Sequence, residues 1–177
     1  GQEGMFRLNQ IVVARTAFVP IRQFGGDHAE MVNQMLLGET ARVLAVRDSM
    51  WLEVETHTDR YKGFVSVLMV LPAPEKWPIT TNNRIQNRFV DGTAEGREVR
   101  VPMAGVLVQE GNDWFLPDGR RFIPNQEPKM ASNPMYFVES VIQQAEKLLD
   151  VPYLWGGRSV YGVDCSGLTH TAALLSG

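Results

Sequence analysis

Short runs of alternating apolar and polar residues, separated by turn sequences, fill residues 5–71 of this chain. Such alternation is typical of strands that bury one face. The predicted strands are residues 11–14, 41–46, 51–55 and 63–67, and Gly-Gly-Asp, Arg-Asp-Ser and Thr-Asp-Arg sequences supply turns between them. Because short strands at close spacing favour closure of a sheet on itself, residues 5–71 are predicted to form a small β-barrel.

A second β-rich segment, residues 85–124, follows a linker of residues 72–84 that is rich in proline and polar residues. Its predicted strands are residues 97–101, 105–109, 113–116 and 120–123, and the Gly-Asn-Asp and Pro-Asp-Gly-Arg sequences between them are typical of hairpin turns. A further linker, residues 125–133, is broken by Pro128. The sequence therefore predicts two small β modules before the last segment of the chain.

The last segment, residues 134–177, has helical periodicity in two places. Apolar residues recur at helical spacing from about Tyr136 to Leu149, and again after Asp164. Asp164 is a candidate N-cap, which would place Cys165, the single cysteine of the chain, in the first helical turn. Unpaired N–H groups and the helix dipole favour a thiolate at that position. A small buried hydrophobic residue is the alternative role for Cys165.

The residues around Cys165 form a specific motif: Pro152-Tyr-Leu-Trp-Gly-Gly, a short spacer, and Asp164-Cys-Ser-Gly-Leu168. This motif resembles the signature of the NlpC-type bacterial cell-wall cysteine peptidases, element by element and in order. The resemblance implies a papain-like fold in which the cysteine begins a helix that packs on an antiparallel sheet. It also implies that Cys165 attacks the amide between γ-D-glutamate and a diamino acid of the peptidoglycan stem peptide, with a histidine as general base.

The first β-rich segment resembles a bacterial SH3-like module. The resemblance rests on Leu37-Gly-Glu39, Val43-Leu44, Trp51-x-x-Val54 and Tyr61-x-Gly-Phe-Val65. It implies that Glu39 begins the strand after the long first loop, that Trp51 packs its ring, and that the run from Tyr61 forms the closing strand. An unrelated β-barrel is the alternative. Residues 85–124 echo the pattern weakly and are interpreted as a second, divergent SH3-like barrel.

The resemblance also implies a substrate-binding set. In family members with this arrangement, the first barrel walls the substrate cleft, and the site selects stem peptides with a free N-terminal L-alanine. Carried over residue by residue, Asp164 and Ser166 bind the amine, Trp155 matches its signature position, and Tyr61 is the barrel aromatic that joins them. Helix capping is a second role for Asp164, and strand packing is the alternative role for Tyr61.

The chain has three histidines, and none matches the family's catalytic histidine. His170 follows Cys165 by five residues on the predicted helix, which puts the two side chains about 140° apart around its axis. His28 and His57 lie in polar sequences and are predicted to be exposed loop residues. The family's sheet and its histidine are therefore expected beyond Gly177, so that the chain is predicted to be truncated shortly after its nucleophile and inactive alone.

Composition excludes several functional classes. The net charge of −3 gives no electrostatic signal for nucleic acid, and no apolar run is long enough to span a bilayer. A single cysteine excludes an intramolecular disulfide, and the sequence indicates no metal ion or cofactor. Because the implied partner is a peptidoglycan stem peptide or muropeptide, the protein is expected to be exported to the bacterial periplasm or cell envelope, with its signal peptide removed.

The predicted fold is mainly β, with N-terminal SH3-like barrels followed by the helical N-terminal part of a papain-like α+β domain. The two predicted C-terminal helices would lack the family's sheet, so self-association through them is expected. Three functions stay open. The chain is a portion of an active peptidoglycan endopeptidase, a non-catalytic SH3-like module that binds cell-wall peptide, or a structural component whose C-terminal helices dock on another chain.

Overall fold

The computed structural model describes residues 6–79 and 83–130, together with the backbone of residues 158–159 and 162–163. These residues form two antiparallel β-sheets and one short β-hairpin. We refer to residues 6–72, which hold the seven-stranded sheet, as the first module. Residues 84–130, which hold the five-stranded sheet, are the second module.

The sheet of the first module runs in the order β3-β2-β6-β5-β4-β1-β7. Its strands are β1 Ile11–Ala14, β2 Phe18–Arg22, β3 Met31–Leu36, β4 Thr40–Arg47, β5 Trp51–Thr56, β6 Lys62–Ser66 and β7 Val70–Pro72, with a 3-10 turn at Val67–Met69 before β7. Along β5, Leu52 and Val54 are fully buried and their neighbours are half-buried, which is the alternation that the sequence predicts. Every strand of this sheet contributes an apolar side chain to one core.

The sheet of the second module runs in the order β10-β11-β12-β8-β9. Its strands are β8 Phe89–Ala94, β9 Arg97–Pro102, β10 Val108–Glu110, β11 Asp113–Phe115 and β12 Arg121–Pro124. Trp114 and Phe122 are the large aromatic residues of its core. Gly92 lies in the middle of β8, where an added Cβ would meet the carbonyl oxygen of Ile123 at 2.2 Å. A residue without a side chain is therefore needed where β8 and β12 pair.

The turn between β3 and β4 joins the two modules. The side chain of Leu37 belongs to the core of the second module, and its carbonyl accepts a hydrogen bond of 2.8 Å from the Val106 N–H. Gly38 has a φ of +80°, and its carbonyl accepts a hydrogen bond of 2.8 Å from the indole N–H of Trp77. The second module is thus fixed to the first through backbone and apolar contacts of this turn.

The helical part of the predicted fold is wrong. The described residues form strands, turns and one 3-10 turn, which makes this part of the chain all-β rather than a β module followed by part of a papain-like α+β domain. The described residues of the last segment pair as antiparallel strands, β13 Arg158–Ser159 and β14 Gly162–Val163. Glycines made this stretch resemble a loop, although β-branched residues such as Val163 favour strand pairing.

The two predicted C-terminal helices, from about Tyr136 to Leu149 and after Asp164, lie outside the described residues. The expected self-association through those helices finds no support in the described part of the fold. What the structure describes of the last segment is a hairpin whose first strand, β13, contacts β3 of the first module.

Candidate functional site

Most of the predicted site residues lie outside the described residues: Cys165, Asp164, Ser166 and Trp155. The described residue nearest to them in the sequence is Val163, which ends β14 two residues before Cys165. The partner strand β13 contacts β3. The hairpin therefore lies in the spacer of the motif, directly before Asp164, and contacts the first module.

Tyr61, the predicted barrel aromatic, ends the loop between β5 and β6. Its carbonyl accepts a hydrogen bond of 2.9 Å from the Thr56 N–H, and its own N–H donates one of 2.9 Å to Thr56 Oγ1. These two bonds close the loop and fix the backbone of Tyr61. The residue is 36% exposed and precedes the first residue of β6, which disfavours strand packing as its role. Tyr61 is thus available to a ligand.

A carboxylate is fixed within the same loop. Asp59 Oδ1 accepts a hydrogen bond of 2.5 Å from Thr56 Oγ1. Its other oxygen accepts one of 3.2 Å from Nδ2 of Asn33, which lies on β3. The loop is therefore held to the same strand that contacts β13. An exposed carboxylate two residues from an exposed tyrosine suits a ligand that carries a cationic amine.

A buried ion pair contacts the same loop through Thr58. Glu39 immediately precedes β4, and both of its carboxylate oxygens are hydrogen-bonded. Oε1 accepts from the Leu36 N–H at 2.6 Å, and Oε2 accepts from Thr58 Oγ1 at 2.9 Å. Oε2 also accepts a hydrogen bond of 2.9 Å from Nη2 of Arg84, a residue that precedes the second sheet. The charged groups thus bridge the two modules next to the loop.

His57 is not the exposed loop residue that the sequence predicts. Its N–H donates a hydrogen bond of 3.1 Å to the Thr40 carbonyl, and its Nδ1 lies 2.9 Å from Thr40 Oγ1. Desolvation by burial lowers the pKa of His57 below its ordinary value, although the hydrogen bond with Thr40 opposes the shift. Arg42 lowers this pKa further and Glu55 raises it. His28, by contrast, is exposed as predicted.

The lowered pKa of His57 predicts a loss of stability in mild acid. Its pKa in the unfolded chain is near 6.5, and the folded pKa is lower, so the unfolded state binds the proton more readily. The contribution is fully present above the unfolded pKa and is lost as the pH falls towards the folded one. We expect urea unfolding at about pH 7.5 and about pH 5.5 to show a smaller pH dependence in His57→Gln than in the parent chain.

The exposed histidine provides the control for that measurement. His28→Gln removes an imidazole from an exposed position and controls for the loss of a histidine as such. Equal pH dependence in His57→Gln and in the parent would contradict the burial argument, because the carboxylates that titrate in the same range are common to all three proteins.

A groove of about 420 Å³ lies on the second module. Its lining residues are Asp91, Gly92, Thr93, Glu98, Val99, Arg100 and Asn125. Arg100 donates two hydrogen bonds to Asp91, of 2.7 and 3.0 Å, and these lower the pKa of the carboxyl. The guanidinium also lies 4.4 Å from the centre of the Phe89 ring. Because these groups bond to one another, the groove is a weaker candidate for ligand binding than the Tyr61 loop.

Two further observations concern the described residues alone. Among them, no cluster of three or more His, Cys, Asp or Glu side chains could hold a metal ion. The described part of the chain also contains no helix that is long and apolar enough to cross a membrane.

The sequence did not predict the residues that hold the Tyr61 loop. Thr58 and Asp59 form part of a polar run that indicates a turn, and nothing in that run shows which groups the side chains contact. Arg84 lies in a predicted linker, and its carboxylate partner is 45 residues away in the sequence. A polar residue in a predicted linker gives no sequence signal of burial. The pair of Arg84 and Glu39 can therefore be found only from the structure.

Comparison with known proteins identifies the domain that carries the loop. Residues 21–67 match the family model of the bacterial dipeptidyl-peptidase SH3 domain. The match includes β3 to β6 and the loop with Tyr61. The prediction of a bacterial SH3-like module in the first β-rich segment is thus confirmed.

The similar proteins are peptidases. The chain is 30% identical over 173 residues to dipeptidyl-peptidase 6 of Lysinibacillus sphaericus, a match that covers 85% of this chain and 64% of that protein. It is 36% identical over 74 residues to the gamma-D-glutamyl-L-lysine dipeptidyl-peptidase of Bacillus subtilis, across 40% of this chain and 25% of that protein. The chain thus spans less than two thirds of the length of either relative.

The fold is shared with a solved structure. The crystal structure of an NlpC/P60 family protein from Bacillus cereus matches 93% of this chain and 72% of its own chain, with a TM-score of 0.75. The identity is 15%, so this likeness concerns the fold alone. The two sequence comparisons support the resemblance to SH3-containing peptidases.

Proposed function

We propose that this chain is the SH3-bearing part of a cysteine peptidase that cleaves γ-D-glutamyl–diamino-acid bonds in peptidoglycan stem peptides. One observation carries the proposal: the hairpin that ends two residues before Cys165 lies against β3 of the SH3 domain. The motif of Asp164, Cys165 and Ser166 supports the nucleophile, and the relative named for γ-D-glutamyl-L-lysine supports the substrate class.

In the proposed reaction, the Cys165 thiolate attacks the carbonyl carbon of the γ-D-glutamyl amide. The C–N bond breaks, the amine of the diamino acid leaves with a proton, and a thioester to Cys165 remains. Water then hydrolyses the thioester and regenerates the thiol. In the family that the motif resembles, a histidine takes the proton of the thiol, gives it to the leaving amine, and then activates the water as a general base.

The proposed substrate has a free N-terminal L-alanine, whose amine carries a positive charge. Asp164 and Ser166 are proposed to bind this amine, Trp155 to line the same cleft, and Tyr61 to contact it from the SH3 domain. Two observations support Tyr61: its side chain is exposed, and its loop is bonded to β3, the strand that β13 contacts. The fixed carboxylate of Asp59 adds negative charge near the same position.

The proposed substrate implies a location. Peptidoglycan lies outside the cytoplasmic membrane, so we propose that the protein acts in the cell envelope after export. Its partner would be the intact wall or a released muropeptide.

A non-catalytic function is the second candidate. The family model matches residues 21–67, which hold the SH3 domain and not the cysteine motif. A chain that binds cell-wall peptide through this domain, without cleaving it, would agree with that match. The two candidates differ in whether the bound peptide reaches Cys165.

Alkylation of Cys165 by iodoacetamide, measured with and without the tripeptide L-Ala-γ-D-Glu-L-Lys, separates the candidates. We expect the rate to inflect below the pKa of a free cysteine, about 8.5. Saturating tripeptide should slow alkylation, because the peptide covers the thiol. The N-acetylated tripeptide is the matched control, since it lacks the positive charge of the N-terminal amine and should protect much less. Cys165→Ser should take up no label.

Each other outcome of this experiment has a defined meaning. Calorimetric binding of the tripeptide without protection of Cys165 would favour the binding module. Absence of both binding and protection would contradict both candidates. A rate that inflects at or above the value of a free cysteine would favour a buried structural cysteine.

A further inference from the structure

A buried hydrogen-bond network connects the second module to the loop that carries Tyr61. We propose that Arg84 and Glu39 act as positioning residues, which through Thr58 hold Tyr61 where it contacts substrate. The inference rests on the proposed function for the role of Tyr61 itself. It adds that substrate binding by the SH3 domain depends on groups from outside that domain.

Arg84 connects three parts of the molecule. Its Nη1 donates a hydrogen bond of 3.0 Å to the Ala104 carbonyl of the second module. Its Nη2 donates one of 2.9 Å to Glu39 of the first module and one of 3.3 Å to Thr58 Oγ1. The side chain is 4% exposed, so these bonds form away from water. A planar guanidinium with bonds in several directions has little freedom to move.

Glu39 connects the fixed guanidinium of Arg84 to the loop. Its Oε2 accepts from both Arg84 and Thr58, and its Oε1 is bonded to the backbone N–H of Leu36. The carboxylate is therefore fixed to the β3–β4 turn and cannot follow a displaced loop. The hydroxyl of Thr58 lies between carboxylate and guanidinium, and this fixes the second residue of the loop after Thr56.

A second anchor holds the loop at Asp59. Asp59 accepts a hydrogen bond from Asn33 of β3, and the N–H of Tyr61 is bonded to Thr56 Oγ1. Thr58 is thus held by the module junction, and Asp59 is held by β3. Because Tyr61 lies two residues after Asp59, the position of its exposed ring depends on both anchors.

The chemistry of the pair argues for a positioning role. A buried ion pair contributes little net stability compared with apolar residues of the same volume, because both charges lose their hydration. Its distinctive property is a fixed geometry of hydrogen bonds. In this chain both Glu39 and Arg84 are hydrogen-bonded to Thr58, in the loop that carries Tyr61. A fixed position of that loop would favour the contact of Tyr61 with substrate.

The affinity of the chain for L-Ala-γ-D-Glu-L-Lys tests the inference. Thr58→Val keeps the shape of the side chain and removes the hydroxyl with its hydrogen bonds to Glu39 and Arg84. We expect it to weaken binding of the tripeptide about three- to tenfold. Thr58→Ser restores the hydroxyl and should bind as the parent chain does. Thr16→Val is the matched control, because it loses a hydrogen bond to the Phe18 carbonyl elsewhere in the domain.

A double-variant cycle separates positioning from general destabilisation. If Thr58 acts through Tyr61, Thr58→Val should weaken binding in the parent chain but not in the Tyr61→Ala background. Equal losses in both backgrounds, or unchanged affinity in Thr58→Val with an unchanged fold, would overturn the inference.

A measurement without peptide keeps the inference distinct from the proposed function. The NMR signals of the Tyr61 ring, assigned with Tyr61→Phe, should shift in both Thr58→Val and Arg84→Lys and stay in place in Thr16→Val. If the parent chain fails to bind the tripeptide while the ring signals shift as expected, the proposed function fails and the positioning network stands. Unchanged signals of the Tyr61 ring in both Thr58→Val and Arg84→Lys would contradict the proposed network.

Discussion

Replacement of Arg84 by methionine is expected to lower the free energy of unfolding by about 3–5 kcal/mol, the usual cost of removing one partner of a buried ion pair. The side chains of Arg84 and Glu39 are 4% and 2% exposed, and Nη2 and Oε2 lie 2.9 Å apart. Methionine keeps most of the apolar length of arginine but donates no hydrogen bond. Glu39 would then keep its buried charge and lose the ion pair with Arg84. Urea unfolding followed by tryptophan fluorescence measures the loss.

An exposed ion pair supplies the control for this substitution. Arg121 lies 3.1 Å from Asp113, with side chains that are 61% and 46% exposed. Arg121→Met should therefore cost about 1 kcal/mol or less. Combining Arg84→Met with Glu39→Gln removes the charge of the Glu39 carboxylate as well, and should recover part of the free energy of unfolding. Equal losses in Arg84→Met and Arg121→Met would contradict the importance of the buried pair.

The strands were predictable where alternation and turn chemistry agree. β1, β4 and β5 lie within one residue of the predicted runs at each end. β2 was not predicted because Pro20 interrupts it, although β2 pairs with β3 along its whole length in the structure. β8 was not predicted because Gly92 weakens its strand pattern. That glycine is required by the close approach of β12, which no local pattern reveals.

The candidate site was predictable only in the part that sequence motifs carry. The motif of Cys165 is local, and Tyr61 follows from the SH3-like pattern. The groups that hold the Tyr61 loop come from β3, from the β3–β4 turn and from the segment before the second sheet. Their contacts depend on how the two modules pack against each other. The sequence of these residues does not indicate that packing.

Gly38→Ala is expected to disrupt the junction between the modules and to lower the free energy of unfolding by about 2–5 kcal/mol. Gly38 has a φ of +80°, which costs an L-residue about 1–2 kcal/mol. An added Cβ would also lie 2.5 Å from the carbonyl oxygen of Val106, and relieving such overpacking typically costs about 1–3 kcal/mol. That oxygen belongs to the backbone of the second module, so the modules must shift relative to one another.

Gly96→Ala separates the two contributions. Gly96 has a φ of +77°, but nothing lies within 4 Å of an added Cβ, so its substitution carries the cost of backbone conformation alone, about 1–2 kcal/mol. The excess loss in Gly38→Ala, measured by urea unfolding, then reports the contact with Val106. Because Glu39 follows Gly38, a shifted junction should also weaken tripeptide binding in Gly38→Ala and not in Gly96→Ala. Equal losses of stability in the two variants would show that the junction adapts to a methyl group, and that Gly38 is required for its backbone conformation alone.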